Sequence, residues 1–156
     1  MTCQTTPFHL SVCAVIAATA LATGAPARAG NTDAMLTAHW SAKNASVPPD
    51  LDATAIAGLW APDGTAVDAL GTLHVTPLTG RDQIEVSFAA FDQRYKEISH
   101  VEERRCTTGN LAYWEGVIKG TTADGVAFEV PVLFASTFDA GGLVTEERIY
   151  AAPPVK

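Results

Sequence analysis

The chain has 156 residues, of which 47% are hydrophobic, and 17 acidic residues outnumber ten Lys and Arg. This length suits one domain with a single sizeable core. The net charge of −7 argues against nucleic acid and anionic membranes as partners, because both require a basic surface.

The first 29 residues have the pattern of a secretory signal peptide. An apolar run at residues 10–22 is followed by the helix breakers Gly24 and Pro26 and by the small-x-small triplet at residues 27–29. The run is too short to cross a bilayer as a helix, which takes about 20 apolar residues. We predict cleavage after Ala29, which leaves a single secreted or periplasmic domain of residues 30–156, without stable membrane association.

Two alternatives to this signal peptide stay open. The segment before the apolar run has no Lys or Arg, as in an uncleaved anchor or a chain with a wrongly assigned start. Cys13 is a candidate for lipidation, although Val12 before it is not small. Cleavage removes Cys3 and Cys13, so Cys106 is expected to be a small, partly buried hydrophobe or, alternatively, to form an inter-chain bridge.

Two helices are predicted before residue 62. Thr32 is a candidate N-cap for the first, and Pro48-Pro49 ends it because proline breaks a helix. Asp50 or Asp52 caps the second, which runs to about Trp60. One face of the first helix is formed at a spacing of three to four residues by Met35, Leu36, His39 and Trp40.

A turn at residues 62–64 leads into a short strand at residues 65–68, with a second candidate strand at residues 72–75. Thr79 at the cap position, followed by Asp82, predicts the start of a third helix. This helix has the clearest amphipathic pattern of the chain, with an apolar face of Ile84, Phe88, Phe91 and Tyr95.

The rest of the chain is predicted to be β-structure. Four strand-like runs, at residues 97–106, 111–121, 126–138 and 143–151, are separated by short turns and are therefore antiparallel. Pro131 cannot donate a backbone hydrogen bond, so the third run is expected to be bulged or at a sheet edge there. The predicted class is α+β: a curved antiparallel sheet of about four long strands plus a short first strand, wrapped around three N-terminal helices.

The length of the turn near residues 122–125 decides which side chains face inward, because a shift of one residue reverses the faces of a strand. A turn of two or four residues places Tyr113 and Glu115 inside. A turn of three residues places Trp114 and Ile118 inside instead.

The order of these elements and three local motifs resemble the nuclear transport factor 2-like superfamily, near its SnoaL-like polyketide cyclases and ketosteroid isomerases. The motifs are LWAPDGTAVD at residues 59–68, LTGRDQI at residues 78–84, and the segment from Thr137 to Tyr150. The resemblance covers about residues 33–152. It implies a cone with a pocket at the open end that takes a small apolar molecule, often in a homodimer.

The resemblance also implies candidate functional residues. Asp68 falls at the position of the general base of the isomerases, which moves a proton on a carbon next to a carbonyl; alternatively, it caps a turn before Gly71. The two oxyanion donors of the isomerases fall at Trp40 and Phe134. Because Phe134 has no donor, true ketosteroid isomerase activity is not expected.

Further polar residues complete the predicted site. Glu147 is expected to face the pocket, where carboxylates sharing a low-dielectric site favour acid–base chemistry. Alternatively, Glu115 and Glu147 face solvent and pair with basic neighbours. His74 near the rim is a candidate proton-transfer partner of Asp68. The predicted catalytic set is Asp68, Tyr113, Glu147 and His74, and the predicted pocket walls are Trp40, Trp60, Phe88, Glu115, Val132 and Phe134.

No metal and no cofactor are predicted, since the His residues lack ligand spacing and no phosphate-binding loop or nucleophile elbow is present. Two functions remain. The first is isomerase- or cyclase-type acid–base chemistry on a small apolar carbonyl compound, favoured by Asp68. The second is a non-catalytic module of the same fold that binds a small ligand or dimerises. Export and the missing donor at Phe134 favour the second.

Overall fold

The structure is a computed structural model that describes residues 2–5, 29–68 and 77–152. It contains three helices, α1 (Ala29–Ala45), α2 (Ala53–Ala57) and α3 (Arg81–Asp92). Its strands are β1 (Thr2–Thr5), β2 (Trp60–Asp68), β3 (Leu78–Thr79), β4 (Tyr95–Thr108), β5 (Leu111–Thr122), β6 (Ala127–Phe138) and β7 (Val144–Ala151).

The described strands form one sheet in the order β1-β4-β5-β6-β7-β2-β3. Strands β4 to β7 are an antiparallel meander, whereas β2 pairs with β7 in parallel. The main apolar core joins all three helices to the inner face of the sheet. The predicted α+β class with a curved sheet is confirmed; β1 was not expected, and β2 is longer than the predicted first strand.

Two of the predicted helix starts differ in the structure. The first helix begins at Ala29, so Thr32 is not its N-cap; its hydroxyl instead donates to the carbonyl oxygen of Gly109 at 2.6 Å. For α3 the N-cap is Gly80 rather than Thr79. The prediction of Asp52 as a cap of α2 is confirmed, because its side chain accepts from the backbone N–H of Ala55.

The second helix ends at Ala57, and the predicted turn at residues 62–64 lies inside β2. The pairing of β2 with β7 shifts register between Trp60 and Thr65, so these residues form an irregularity within the strand. Gly64 is required there, since a Cβ atom would lie 2.8 Å from the carbonyl oxygen of Val144. Trp60 consequently belongs to the strand and is buried in the core.

The turn between β5 and β6 settles the register that the sequence left open. The backbone N–H of Thr122 donates to the carbonyl of Val126, which leaves three residues in the turn, and Gly125 has a φ of 91°. Glycine adopts this backbone conformation without steric penalty. Trp114 therefore lies opposite Phe134, and both are buried in the core, as the three-residue alternative requires.

Pro131 lies in an interior strand without a bulge, but the ladder with β7 begins only at Val132, so the strand is at an edge there on the side of β7. Pro131 pairs with Val117 in unbroken register. Its carbonyl accepts from the N–H of Ala152, which shows that the side of Pro131 without a donor faces β7. Because β7 ends at Ala151, the missing donor falls at the end of that ladder.

The strand β1 lies within the predicted signal peptide. It pairs with β4, and Cys3 forms a disulfide with Cys106. In the uncleaved chain Cys106 therefore has an intrachain partner, which the sequence analysis did not anticipate; cleavage after Ala29 would remove that partner. In the described part of the chain, no helix is long and apolar enough to cross a membrane.

Candidate functional site

The helices and the inner face of the sheet line a partly open cavity of about 90 Å³. Its wall is mainly apolar, and four charged or titratable residues also reach it. The apolar residues that matter below are Trp40, Trp60, Ala66, Phe88 and Phe134, and the polar ones are Lys43, Arg94, His100 and Glu147.

Glu147 on β7 is the most deeply buried charged residue in the described structure, with 1% of its surface exposed. Its Oε1 accepts a hydrogen bond from Nζ of Lys43 at 2.9 Å, and its Oε2 accepts one from the hydroxyl of Ser136 at 2.9 Å. Nε2 of His39 lies 3.3 Å from Oε2, without the direction of a good hydrogen bond. Both carboxylate oxygens therefore have partners.

The strand register and the helical spacing bring the partners of Glu147 together. Ser136 lies directly opposite Glu147 in the register of β6 and β7. His39 and Lys43 are four residues apart on α1, so their side chains share the face of the helix that packs on the sheet. The cluster follows from one helix face meeting one pair of neighbouring strands.

Electrostatics keep Glu147 ionised. Burial opposes its ionisation, but the Lys43 ammonium and the contacts with His39 outweigh burial and hold the pKa of Glu147 below its usual range. Burial, followed by the charge of Lys43, lowers the pKa of His39, and the same two causes lower the pKa of His100 to about 4. Near neutral pH the buried charges are thus a Lys43–Glu147 ion pair beside neutral imidazoles.

Three aromatic rings surround the ammonium of Lys43. Nζ lies 4.8 Å from the ring centroid of Trp40, 5.0 Å from that of Trp60 and 4.9 Å from that of Phe134. We call these three rings the aromatic cage. Trp40 is held in place by stacking on Trp114 at 4.2 Å between ring centroids. A cation at such distances is attracted by the negative faces of the rings.

Two buried donors at the cavity lack partners. The indole N–H groups of Trp40 and Trp60 make no hydrogen bond within the described residues, although both side chains are almost fully buried. Leaving a buried donor unpaired costs about 1–3 kcal/mol. Both tryptophans line the cavity, so two side chains of its mainly apolar wall carry an unpaired donor.

Of the predicted pocket walls, Trp40, Trp60, Phe88 and Phe134 line the cavity. Val132 is buried in the same core but is not part of the cavity wall. Glu147 reaches the cavity, as expected for a residue on the inner face of the last strand.

Tyr113 and Glu115 lie on the outer face of the sheet, so their predicted placement in the pocket is wrong. Tyr113 packs against Cys106 and Leu133 in a separate cluster. Glu115 is opposite Leu133 and therefore shares that outer face. The physical reason is the three-residue turn, which turns Trp114 inward and its two neighbours outward.

Asp68 is the last residue of β2 and lies two residues beyond Ala66, on the same side of the strand. Ala66 lines the cavity, but Asp68 is half-buried and is not among the residues of the described cavity wall. Its role as a general base remains a prediction. His74 lies outside the described residues, and its role in proton transfer likewise remains a prediction.

Sequence reasoning missed Lys43, Ser136 and His100 as parts of the site and gave His39 no role. A signal for Lys43 was present, since it continues the apolar face of α1 three residues after Trp40. Across residues 2–5, 29–68 and 77–152, no group of three or more His, Cys, Asp or Glu side chains is placed to hold a metal ion.

No family model matches this chain, and no curated protein is significantly similar to it. A hypothetical protein with a ketosteroid isomerase-like fold from Catenulispora acidiphila, solved in complex with trimethylamine, is 25% identical, with a TM-score of 0.58 over 76% of this chain and 83% of that chain.

Two other solved structures are more similar in shape and less so in sequence. A nuclear transport factor 2-like protein of unknown function from Burkholderia pseudomallei is 13% identical, with a TM-score of 0.67 over 78% of this chain and 91% of its own. A candidate SnoaL-like polyketide cyclase from Shewanella denitrificans is 14% identical, with a TM-score of 0.65 over 78% of this chain and 90% of its own. The predicted resemblance is thus confirmed, and the chain has the cone fold of the nuclear transport factor 2-like superfamily.

Proposed function

We propose that the cone of this protein binds a small, mostly apolar molecule that carries a hydrogen-bond acceptor, such as a carbonyl oxygen. The observation that carries this proposal is the apolar cavity with unpaired donors in its wall, the indole N–H groups of Trp40 and Trp60. An acceptor on a ligand would give such a donor the partner that burial otherwise denies it. The ammonium of Lys43 adds a third donor group at the cavity.

The cavity volume bounds the size of the ligand. A cavity of about 150 Å³ lined by apolar side chains is large enough for benzene, and the present one measures about 90 Å³. We therefore expect a molecule no larger than about six heavy atoms, the size of benzene, such as acetone, γ-butyrolactone or cyclopentanone. The complex of the Catenulispora neighbour with trimethylamine supports a ligand in this size range.

Binding agrees better with the described residues than acid–base chemistry does. A general base works best when its pKa is near the operating pH. The pKa of Glu147 is instead held below its usual range and both its oxygens have partners, while the pKa of His100 is about 4. Neither group is suited to accept a proton near neutral pH.

A catalytic role is the second candidate, and the placement of Asp68 favours it. Asp68 lies on the same side of β2 as Ala66, which lines the cavity. In that role its carboxylate would remove a proton next to the carbonyl of a bound ligand. His74 would assist the transfer.

A thermal-shift screen tests both candidates. The 156-residue protein and its Asp68→Asn variant are titrated with cyclopentanone, γ-butyrolactone and acetone, because a ligand of the folded state raises the melting temperature by mass action. Binding predicts a saturable rise in both proteins. Deuterium exchange next to the carbonyl that Asp68→Asn abolishes would favour the enzyme. No rise with any of these ligands would contradict the binding proposal.

We also propose that the protein is exported, on the basis of the signal-peptide pattern at residues 1–29. Mass spectrometry of the protein recovered from the periplasm or the medium should give a chain that begins at Gly30. Recovery of the uncleaved chain would contradict this. A homodimer, expected from the resemblance, is tested by sedimentation of the same sample.

A further inference from the structure

We propose that Lys43 is an internal cation that fills the aromatic cage and excludes amine ligands from the cone, so that the cavity selects neutral acceptor molecules. The selected ligand class rests on the proposed function. The exclusion of amines does not, because it concerns only the contacts of Lys43 itself.

The surroundings of Lys43 have the composition of a receptor for an alkylammonium ion. Three rings lie 4.8–5.0 Å from Nζ, and the carboxylate of Glu147 lies 2.9 Å from it. Aromatic rings around a cation, with a nearby anion, are how proteins recognise ammonium ligands. In this protein the chain itself supplies the ammonium.

A free amine therefore has no remaining place to bind. A group tethered to the chain competes as if present at a high local concentration, of the order of millimolar or more for short flexible tethers. Glu147, which is the one carboxylate in the wall of the described cavity, is already paired with Lys43 and Ser136. Arg94 also lines the cavity and adds repulsion, while His39 and His100 are neutral near pH 7.

The length of the lysine side chain defines the probe. Replacing Lys43 by Ala removes three methylene groups and the ammonium, which together correspond to propylammonium. The variant leaves Glu147 without its cation beside an empty cage, so that a bound ammonium would restore the ion pair that Lys43 makes in the wild type. Propylammonium should then bind in the place of the lost side chain, whereas 1-propanol, of similar length but without charge, should not.

The experiment is a thermal-shift titration of the full chain with propylammonium chloride, matched in ionic strength with sodium chloride. For Lys43→Ala we expect a saturable rise of about 5 °C, a size that corresponds to modest stabilisation of a domain of this length. The wild type should show no saturable rise, so that its apparent affinity is at least tenfold lower. Lys96→Ala, which changes an exposed lysine, should behave as the wild type.

A double variant identifies the binding groups. In Lys43→Ala with Glu147→Gln the cage remains but the anion is lost, so most of the propylammonium shift should disappear. A shift that persists unchanged in the double variant would overturn the assignment of the site.

The other possible results of the propylammonium titration also test the proposal. A saturable shift of the wild type equal to that of Lys43→Ala, or no shift of Lys43→Ala, would overturn the proposal. If Lys43→Ala does not fold alone, recovery of folded protein by refolding with propylammonium supports it, and failure to recover it contradicts it. If neutral ketones do not raise the melting temperature of the wild type, the proposed function is contradicted. The result with propylammonium is independent of that outcome.

Discussion

Two Lys–Glu pairs of nearly equal length lie in contrasting parts of the molecule. Lys43 and Glu147 are 2.9 Å apart inside the cone, with side chains that are 7% and 1% exposed. Lys119 and Glu129 are 3.0 Å apart on neighbouring strands, with side chains that are 47% and 59% exposed. The distances alone do not distinguish the two pairs.

Because the two pairs differ in burial, breaking them should have different effects on stability. An exposed pair remains solvated when it breaks and contributes little, about 0–1 kcal/mol. A buried pair has lost its hydration, so removing one partner leaves a charge that neither water nor protein compensates. Loss of one partner of the inner pair should therefore destabilise the fold strongly, whereas either residue of the outer pair can be replaced at little cost in stability.

The largest expected effect comes from breaking the inner pair. Lys43→Met keeps most of the apolar stem but leaves Glu147 without its cation, and it should lower the free energy of unfolding by about 3–5 kcal/mol. Urea denaturation of the variant and the wild type measures this. A loss below 1 kcal/mol would mean that the inner pair is energetically like the outer one.

The second-largest effect on the free energy of unfolding is expected from acidification, which changes the protonation of residues at the inner site. The pKa values of His39 and His100 are lowered in the folded state, so the unfolded chain binds protons more readily and stability falls as the pH drops below 6.5, for His100 down to about 4. Glu147 has a lowered pKa, so its contribution is present above its ordinary value of 4.5 and is lost below it.

Urea midpoints at pH 7.5 and pH 5 measure this dependence. The wild type should be less stable at pH 5, and His100→Gln should reduce the difference. An unchanged pH dependence in His100→Gln would contradict the assignment to this residue.

A smaller effect is expected when both inner charges are removed together. Lys43→Met with Glu147→Gln removes both charges of the inner pair, and the amide oxygen at position 147 can still accept the hydrogen bond that Ser136 donates to Glu147. The double variant should recover at least about 2 kcal/mol relative to Lys43→Met alone. Equal stability of the double and single variants would show that the unpaired charge was not the cause of the loss.

The smallest effect is expected at the outer pair. Lys119→Met should change the free energy of unfolding by less than about 1 kcal/mol, because both groups are solvated before and after the change. The same urea experiment provides the value. A loss comparable to that of Lys43→Met would remove the contrast between the two pairs.

Much of the fold could be predicted because it depends on local rules. Asp52 is a helix cap by its side-chain chemistry, and the alternation of Val132, Phe134 and Ser136 defines the inner face of β6. Which residues of β5 face the core could not be predicted, because this depends on the exact number of residues in the turn that contains Gly125.

The centre of the site was missed for a different reason. A lysine in a sequence is normally expected at the surface, and only the folded structure shows that the side chain of Lys43 reaches Glu147 on β7. Glu147 was correctly expected to face inward, but its partner was sought among residues such as Tyr113, which lies on the other face.

The central claim, that the cone takes a small neutral ligand, is tested most directly by filling it. Ala66→Leu adds volume at the cavity wall, and Ala135→Leu adds the same volume on the outer face of the sheet as a control. Cyclopentanone is titrated into both variants and the wild type while the melting temperature is recorded. We predict a saturable rise for the wild type and Ala135→Leu and none for Ala66→Leu. An equal rise in all three, or no rise in the wild type, would contradict the claim.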